Sequence, residues 1–198
     1  MIGVETLESL GKGKYRIAFD NGVICVLYGT ELRSTGIREE VLISEQQFQH
    51  IITEIVGKRA KKRALHLLER MDRTEQQLRE KLLQSEYPRE CVEDAIAYVK
   101  SFHYIDDKRY AENFIRCSKE KMSRQQAKRK LLTKGVPQDI ITQALSVEYD
   151  ADESLHIRAI LEKKHFDREH CDEKEFRRIY QYLLRRGFSS NDILREMK

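Results

Sequence analysis

Leu82-Leu83-Gln84-Ser85-Glu86-Tyr87-Pro88, Leu131-Leu132-Thr133-Lys134-Gly135-Val136-Pro137 and Leu183-Leu184-Arg185-Arg186-Gly187-Phe188-Ser189 are three versions of one phrase. Each runs from a Leu pair through polar residues to a turn, an apolar residue and a residue suited to starting a helix. The phrase recurs roughly every fifty residues from about residue 60 onward, the range of helical arrays whose units bury apolar faces against their neighbours. Three such units suffice for a continuous core.

Reading backwards from each phrase gives the rest of the unit. Thr74-x-x-Gln77, Ser123-x-x-Gln126 and Asp172-x-x-Glu175 are capping boxes that open the helix ending in the Leu pair, and the recurrence of the cap argues for equivalent units. Before them lie first helices with apolar stripes: Ala64, Leu65, Leu68 and Met71; Ala111, Phe114 and Ile115; Leu155, Ala159 and Ile160. After them, Pro88 and Pro137 suit the first position of a third helix, and Gly135 and Gly187 suit the C-terminus of the second. Each unit is therefore expected to be a three-helix repeat.

The first forty residues differ. Tyr15, Ile17 and Phe19 alternate before Asn21-Gly22, and Val23, Cys25 and Leu27 alternate after it, a hairpin pattern around the preferred two-residue turn. Ile2 and Val4 begin a third strand, which a lone hairpin needs in water. Ser44-Glu45-Gln46-Gln47 is a further capping box, followed by Phe48, Ile51, Ile52, Ile55 and Val56 at helical spacing. The expected fold is mainly α: three tandem three-helix repeats in an elongated curved array, preceded by a small N-terminal β hairpin unit and a linking helix. The expected segments are residues 1–43, 44–105, 106–150 and 151–198.

Composition narrows the function. With 35% charged residues, two Pro and no Trp in 198 residues, the chain reads as a helical protein with a large solvated surface. It has no basic segment leading into an apolar N-terminal stretch and no apolar run long enough to span a bilayer, so a cytoplasmic protein with no membrane contact is expected. Cys25, Cys91, Cys117 and Cys171 are dispersed, which suits reduced thiols better than a disulfide frame or zinc site. Nucleotide-binding glycine motifs and the Ser elbow of hydrolases are absent. No catalytic, cofactor-binding or metal-binding residue is assigned. The pair Asp106-Asp107 suggests metal or acid/base chemistry at first sight, but adjacent helical residues diverge by roughly 100°, and an N-cap explains them better. His165, His170 and Cys171 lack the further ligands of a tetrahedral site.

The cations are more informative. A net charge of +4 is modest, yet Lys and Arg collect at Lys58, Arg59, Lys61, Lys62 and Arg63, at Lys128, Arg129, Lys130 and Lys134, and at Arg177, Arg178, Arg185 and Arg186. Two clusters fall on second helices, where a repeat array aligns faces into one surface. In the first repeat the second helix is more mixed, with Arg73, Arg79 and Lys81 offset by Glu75 and Glu80. The candidate binding residues are Arg70, Arg73, Arg79, Lys128, Arg129, Lys130, Lys134, Arg178, Arg185 and Arg186. The third helices begin with Arg89-Glu90-Cys91-Val92-Glu93-Asp94 and Gln138-Asp139-Ile140-Ile141, poor equipment for reading base edges.

Tyr104-Ile105-Asp106-Asp107-Lys108-Arg109-Tyr110-Ala111 is the most specific stretch of the chain. It is supported by Arg70-Met71-Asp72-Arg73-Thr74-Glu75 with Leu78, by Leu131-x-x-Lys134-Gly135-Val136 and by Tyr182 through Ser189. Together these resemble the RecX regulatory proteins over essentially the whole chain. The resemblance implies tandem three-helix repeats, no catalytic activity and no cofactor. It also implies a DNA-repair and SOS-response role in which the protein sits in the groove of the RecA recombinase filament on single-stranded DNA and restrains strand exchange and ATP hydrolysis. A monomer is expected, with single- or double-stranded DNA as a further partner through the basic helices. Where relatives often carry a Gly-containing turn, this chain has Met122-Ser123-Arg124; Ser123 is expected still to start its helix.

Overall fold

The computed structural model describes residues 1–118, 122–148 and 153–198; the expected boundary at 150 and 151 lies outside them. The chain forms two compact units, Met1–Asp106 and Asp107–Lys198.

In the first unit, β1 (Ile2–Gly11), β2 (Lys14–Phe19), β3 (Ile24–Tyr28) and β4 (Leu42–Ile43) form an antiparallel sheet in the order β3-β2-β1-β4. A short helix, α1 (Gly29–Thr35), precedes β4. Ile17 pairs with Cys25 and Tyr15 with Leu27, as the alternation predicts. The turn differs from expectation. A two-residue Asn-Gly turn needs positive φ at both residues, but here Gly22 is left-handed (φ 79°) and Asn21 is not. Phe19 and Val23 close a three-residue loop, with Phe19 N–H donating to the Val23 carbonyl at 2.9 Å. The Asn21 side chain accepts from Val23 N–H at 3.1 Å, and Asp20 is tied to β1 through Gly3 N–H at 2.8 Å. These bonds hold Asn21 in a local Asx turn. A bulge between Val4 and Thr6 shifts the alternation of β1, so that Leu7 and not Thr6 opposes Ile17.

The linking helix runs as α2 (Glu45–His50), a π-helical segment (Ile51–Gly57) and α3 (Lys58–Arg70). Its π turns re-phase the apolar stripe. At 3.6 residues per turn, Phe48, Ile51 and Ile52 would face away from Ala60, Ala64 and Leu67; the wider turns bring both sets into one core. The expected stripe of Leu65, Leu68 and Met71 is therefore displaced. Leu65 and Leu68 only flank the core, and Met71 is 57% exposed. The Sγ of Cys91 donates to the carbonyl of Ile52 at 3.4 Å.

The first repeat is completed by α4 (Glu75–Leu83) and α5 (Arg89–Ser101). Its core is continuous with the sheet: Phe19 meets Phe48 edge-on at 5.0 Å, and the same cluster reaches through Leu78, Leu82, Val92 and Ala95 to Ile105. The β strands thus have no core of their own and fold against the first repeat.

The second unit contains α6 (Asp107–Ser118), α7 (Arg124–Thr133) and α8 (Gln138–Glu148), then α9 (Ser154–Lys163), α10 (Glu173–Arg185) and α11 (Ser190–Glu196). Each triplet has a separate core, one centred on Ile115, Leu131 and Ile141, the other on Ile157, Leu183 and Ile193. In α9 the buried face is Ser154, Ile157 and Leu161, while the expected Leu155 is 73% exposed and Ala159 faces solvent. Sequence spacing allowed both phases, and only packing distinguishes them. Pro88 and Pro137 sit one residue earlier than expected, before the first helical residue. Their carbonyls accept the first helical bonds, from Val92 and Ile141, both at 3.0 Å.

Thr74 forms the complete capping box. Ser123, Asp172 and Ser44 accept the expected amides, but their partner side chains go elsewhere. Gln126 donates to the Arg185 carbonyl, Gln47 to that of Thr35, and Glu175 pairs with Arg178.

The diagnostic phrase itself folds into one geometry three times. Val136 N–H reaches the Leu131 carbonyl at 3.1 Å and Gly135 N–H that of Leu132 at 2.9 Å; Phe188 and Gly187 repeat this with Leu183 and Leu184, and Tyr87 and Glu86 with Leu82 and Leu83. This double bond closes a helix on a left-handed residue: Gly135 (φ 79°), Gly187 (φ 85°) and Glu86 (φ 59°). The first and third repeats use it again, at His103 (φ 55°) and His165 (φ 51°). A Cβ on Gly187 would also lie 2.9 Å from Ser123 Oγ.

Gly135→Val should lower stability by on the order of 1 kcal/mol, because a branched Cβ is strained at positive φ. Gly187→Ala should cost more than Gly135→Ala, since it adds the clash with Ser123. His165→Gly should instead raise the melting temperature by relieving the same strain. Calorimetry on the four variants checks the order; a neutral Gly135→Val would contradict it.

Candidate functional site

Acidic and metal-ligating residues are accounted for locally. Helix α6 begins at Asp107, which puts Asp106 at its N-cap position. His170 Nδ1 lies 2.7 Å from Asp167 Oδ2, and among the described residues no three His, Cys, Asp or Glu gather in a metal-holding group. Cys25 and Cys91 are buried, and loss of solvation pushes their thiols up to about 12 and about 11, as befits small core residues.

The cations divide into those held by the fold and those presented by it. In the first unit most are held. Arg59 bonds the Glu31 carboxylate and the Val26 carbonyl, with its guanidinium 4.8 Å from the Tyr28 ring centre and 5.7 Å from that of Tyr87. It borders a hollow of about 530 Å³ between the hairpin and the α4–α5 turn. Arg79 bonds Glu75 at 2.7 Å and Glu93 at 2.8 and 2.9 Å, and Lys100 joins at Glu75, 2.7 Å away. Arg73 donates to the Leu67 carbonyl at the end of α3. Arg70 is exposed in the last turn of that helix.

In the second unit more charge is presented. Arg129 and Lys130 are exposed on α7, and Lys128 is half-buried beside a hollow also lined by Arg124, Glu153 and Gly187. Lys134 lies 5.9 Å from the ring centres of Tyr110 and Phe114. On α10, Arg178 pairs with Glu175 at 3.0 Å, Arg185 is exposed, and Arg186 sits 5.0 Å from the Tyr182 ring centre. The start of α7 is docked on the third repeat. Ser123 Oγ donates to the Arg186 carbonyl at 2.6 Å, and Arg124 N–H donates to the Glu153 carboxylate. Burial pushes the Glu153 carboxyl up, against the lowering effect of that amide bond. Ser123 therefore starts its helix as expected and also ties two repeats together.

Comparison with known proteins agrees with this architecture. The RecX first three-helix domain matches residues 60–98, the second 106–145 and the third 152–197. The chain belongs to the RecX family. A Regulatory protein RecX of Caldanaerobacter subterraneus subsp. tengcongensis is 32% identical over 163 residues, 80% of this chain and 79% of the relative. That of Clostridium acetobutylicum is 32% identical over 164 residues, 80% of this chain and 76% of the relative. Among solved structures, one described as a crystal structure of regulatory protein RecX superposes with a TM-score of 0.66 at 22% identity, covering 99% of this chain and 98% of that one. RecX from Lactobacillus salivarius superposes at 0.64 with 23% identity, covering 72% and 94%. The RecX naming supports a regulatory role, and no helix among the described residues is long and apolar enough to cross a membrane.

Two features escaped the sequence reading. Lys163 and Lys164 form an adjacent pair at the end of α9, a first helix, outside the second helices that carry the other clusters. The bond from Ser123 to Arg186 joins residues 63 apart and had no sequence signal.

Asp106→Ala should lower stability by roughly 0.5–2 kcal/mol while Asp106→Asn preserves it, as checked by denaturant unfolding. The Arg79 network predicts acid sensitivity. Hydrogen bonds from Arg79 and Lys100 outweigh burial at Glu75, and that from Arg79 dominates at Glu93, so both carboxyls are held below their ordinary value. Their contribution is complete above the unfolded value of about 4.3 and is lost as pH falls through the lower folded values. In Arg79→Met, the stability lost between pH 5 and pH 3 should be smaller than in the parent chain.

Proposed function

We propose that this RecX-family chain binds the RecA recombinase filament on single-stranded DNA and restrains its ATP hydrolysis and strand exchange, without catalysing a reaction itself. The observation that carries this reading is the uncompensated charge of the second unit. Lys128, Arg129 and Lys130 on α7 and Arg185 on α10 have no carboxylate partner among the described residues. A filament offers phosphate and repeated acidic protein surface, and several weak cationic contacts held by one chain add through effective concentration. The first repeat contributes less, since Arg73 and Arg79 are engaged internally; Arg70 remains its exposed candidate.

Charge reversal of Lys128, Arg129 and Lys130 to Glu should weaken co-sedimentation with recombinase assembled on single-stranded DNA and reduce the effect on ATPase activity. The fold should remain intact, because Arg129 and Lys130 are exposed and the half-buried Lys128 has no carboxylate partner among the described residues, and such charges contribute little to stability. Glu93 is unsuitable as the acidic comparison because Arg79 binds it; reversing Glu90 and Asp94, exposed on α5, provides the control and should have little effect. Equal losses from both sets would refute this binding face. Binding to naked DNA as strong as to the filament, with steep log-linear salt dependence, would favour an independent nucleic-acid-binding protein.

A further inference from the structure

We infer that the hollow between the hairpin and the α4–α5 turn is a binding site for a small phosphate ester, its phosphate met by Lys14 and Arg63 and its organic part lying against Leu10 and Tyr28. The site lies wholly within the first unit and is independent of the filament reading. Its volume of about 530 Å³ falls in the range of pockets that hold single small molecules. Leu10 and Tyr28, each 39% exposed, leave apolar surface uncovered on its wall, and covering such surface is favourable.

The charges around the hollow do not cancel. Lys14, Arg59, Arg63 and Glu86 line it. Arg59 bonds Glu31 and Glu86 bonds Arg16, whereas Lys14 and Arg63 have no carboxylate partner among the described residues. Arg63 follows Arg59 by one turn of α3 and shares its face. Lys14 Nζ and the Arg59 guanidinium lie 5.9 and 4.8 Å from the ring centre of Tyr28. The Tyr87 phenol stands in the same field: burial pushes it up, and the charges of Arg59 and Arg63 oppose that shift.

The walls are also held in place. Glu86 stands where the second and third repeats have Gly135 and Gly187, and it keeps the left-handed turn at φ 59° while its carboxylate bonds Arg16 on β2. A glycine there would turn the chain equally well but would free the turn from the sheet. A site fixed before its ligand arrives loses less freedom on binding. A phosphate monoester is close to dianionic at neutral pH, so one group balances both cations, and a guanidinium meets two of its oxygens at once. The single charges of carboxylates or of a phosphodiester strand match this pair less well.

Isothermal titration calorimetry of the intact chain with phenyl phosphate near neutral pH tests the site. Saturable binding at one site per chain is expected. Lys14→Gln with Arg63→Gln should weaken it by about tenfold or more, as the loss of charge-assisted hydrogen bonds requires. Both residues are exposed, so the variant should keep its circular dichroism and melting midpoint, and Lys14→Gln alone should already weaken binding. Arg33→Gln with Arg38→Gln removes the same charge from exposed positions of the same unit and should leave the affinity unchanged. Tighter binding of adenosine monophosphate than of ribose 5-phosphate would assign the ester to a nucleotide, and the reverse to a sugar phosphate. Absence of saturable binding, or equal affinity in the parent and the Lys14 and Arg63 variants, would overturn the site. So would inorganic phosphate binding as tightly as phenyl phosphate, which leaves no role for the apolar wall, or benzoate doing so, which would assign the hollow to a carboxylate. Loss of phenyl phosphate binding in the presence of oligothymidylate would assign it to a strand and overturn it equally.

Discussion

A left-handed residue closing a helix is the constraint on which this fold turns. Short helices can stack into triplets only if each reverses within a few residues and leaves no buried carbonyl unpaired. Five reversals, at Glu86, His103, Gly135, His165 and Gly187, meet both demands with the same pair of backbone bonds. After the two glycine turns the apolar residue that follows drops into the core, Val136 at 3% and Phe188 at 4% exposure. Glycine takes two of the five positions without strain. At a third, Glu86 recovers something for its conformation, because its carboxylate bonds Arg16 on the sheet.

That recurring turn explains why so much of the fold was legible. The Leu pair, the turn residue and the apolar residue after it report backbone geometry directly, and the caps at Thr74, Ser123 and Asp172 mark helix starts for the same local reason. What remained illegible depends on contacts between distant segments. The phase of α9 could not be read because Leu155 and Ile157 are equally apolar and only the packing of α11 selects Ile157. The π turn was hidden because periodicity assumes a constant pitch. The Asn-Gly turn was misread because Asp20 is claimed by Gly3, a partner on another strand.

The candidate site was harder still, since a cation's sequence neighbourhood does not reveal where its charge is spent. Arg79 and Arg129 look alike as helical arginines. One lies in a carboxylate network reaching across to α5, whereas the other is exposed. Exposed ion pairs contribute little to stability, but they matter for recognition because they decide which cations a partner meets uncompensated. By that measure Lys128, Arg129, Lys130 and Arg185 of the second unit present more usable charge than Arg73 and Arg79 of the first.

The joint between the second and third repeats connects these threads. Ser123 caps α7 with one lone pair and donates its proton to the Arg186 carbonyl, so the helix bearing Lys128, Arg129 and Lys130 starts from the turn that ends α10. Gly187 permits this approach, because any larger residue would press on the hydroxyl. Arg186 thereby acts twice: its backbone fixes the neighbouring repeat, and its side chain lies against Tyr182. The two basic surfaces are consequently held in register by the bonds from Ser123, Arg124 and Gln126 to the third repeat. A repeat array gains the most from multivalent binding when its weak contacts are spaced rigidly, because less conformational freedom is then lost on engagement.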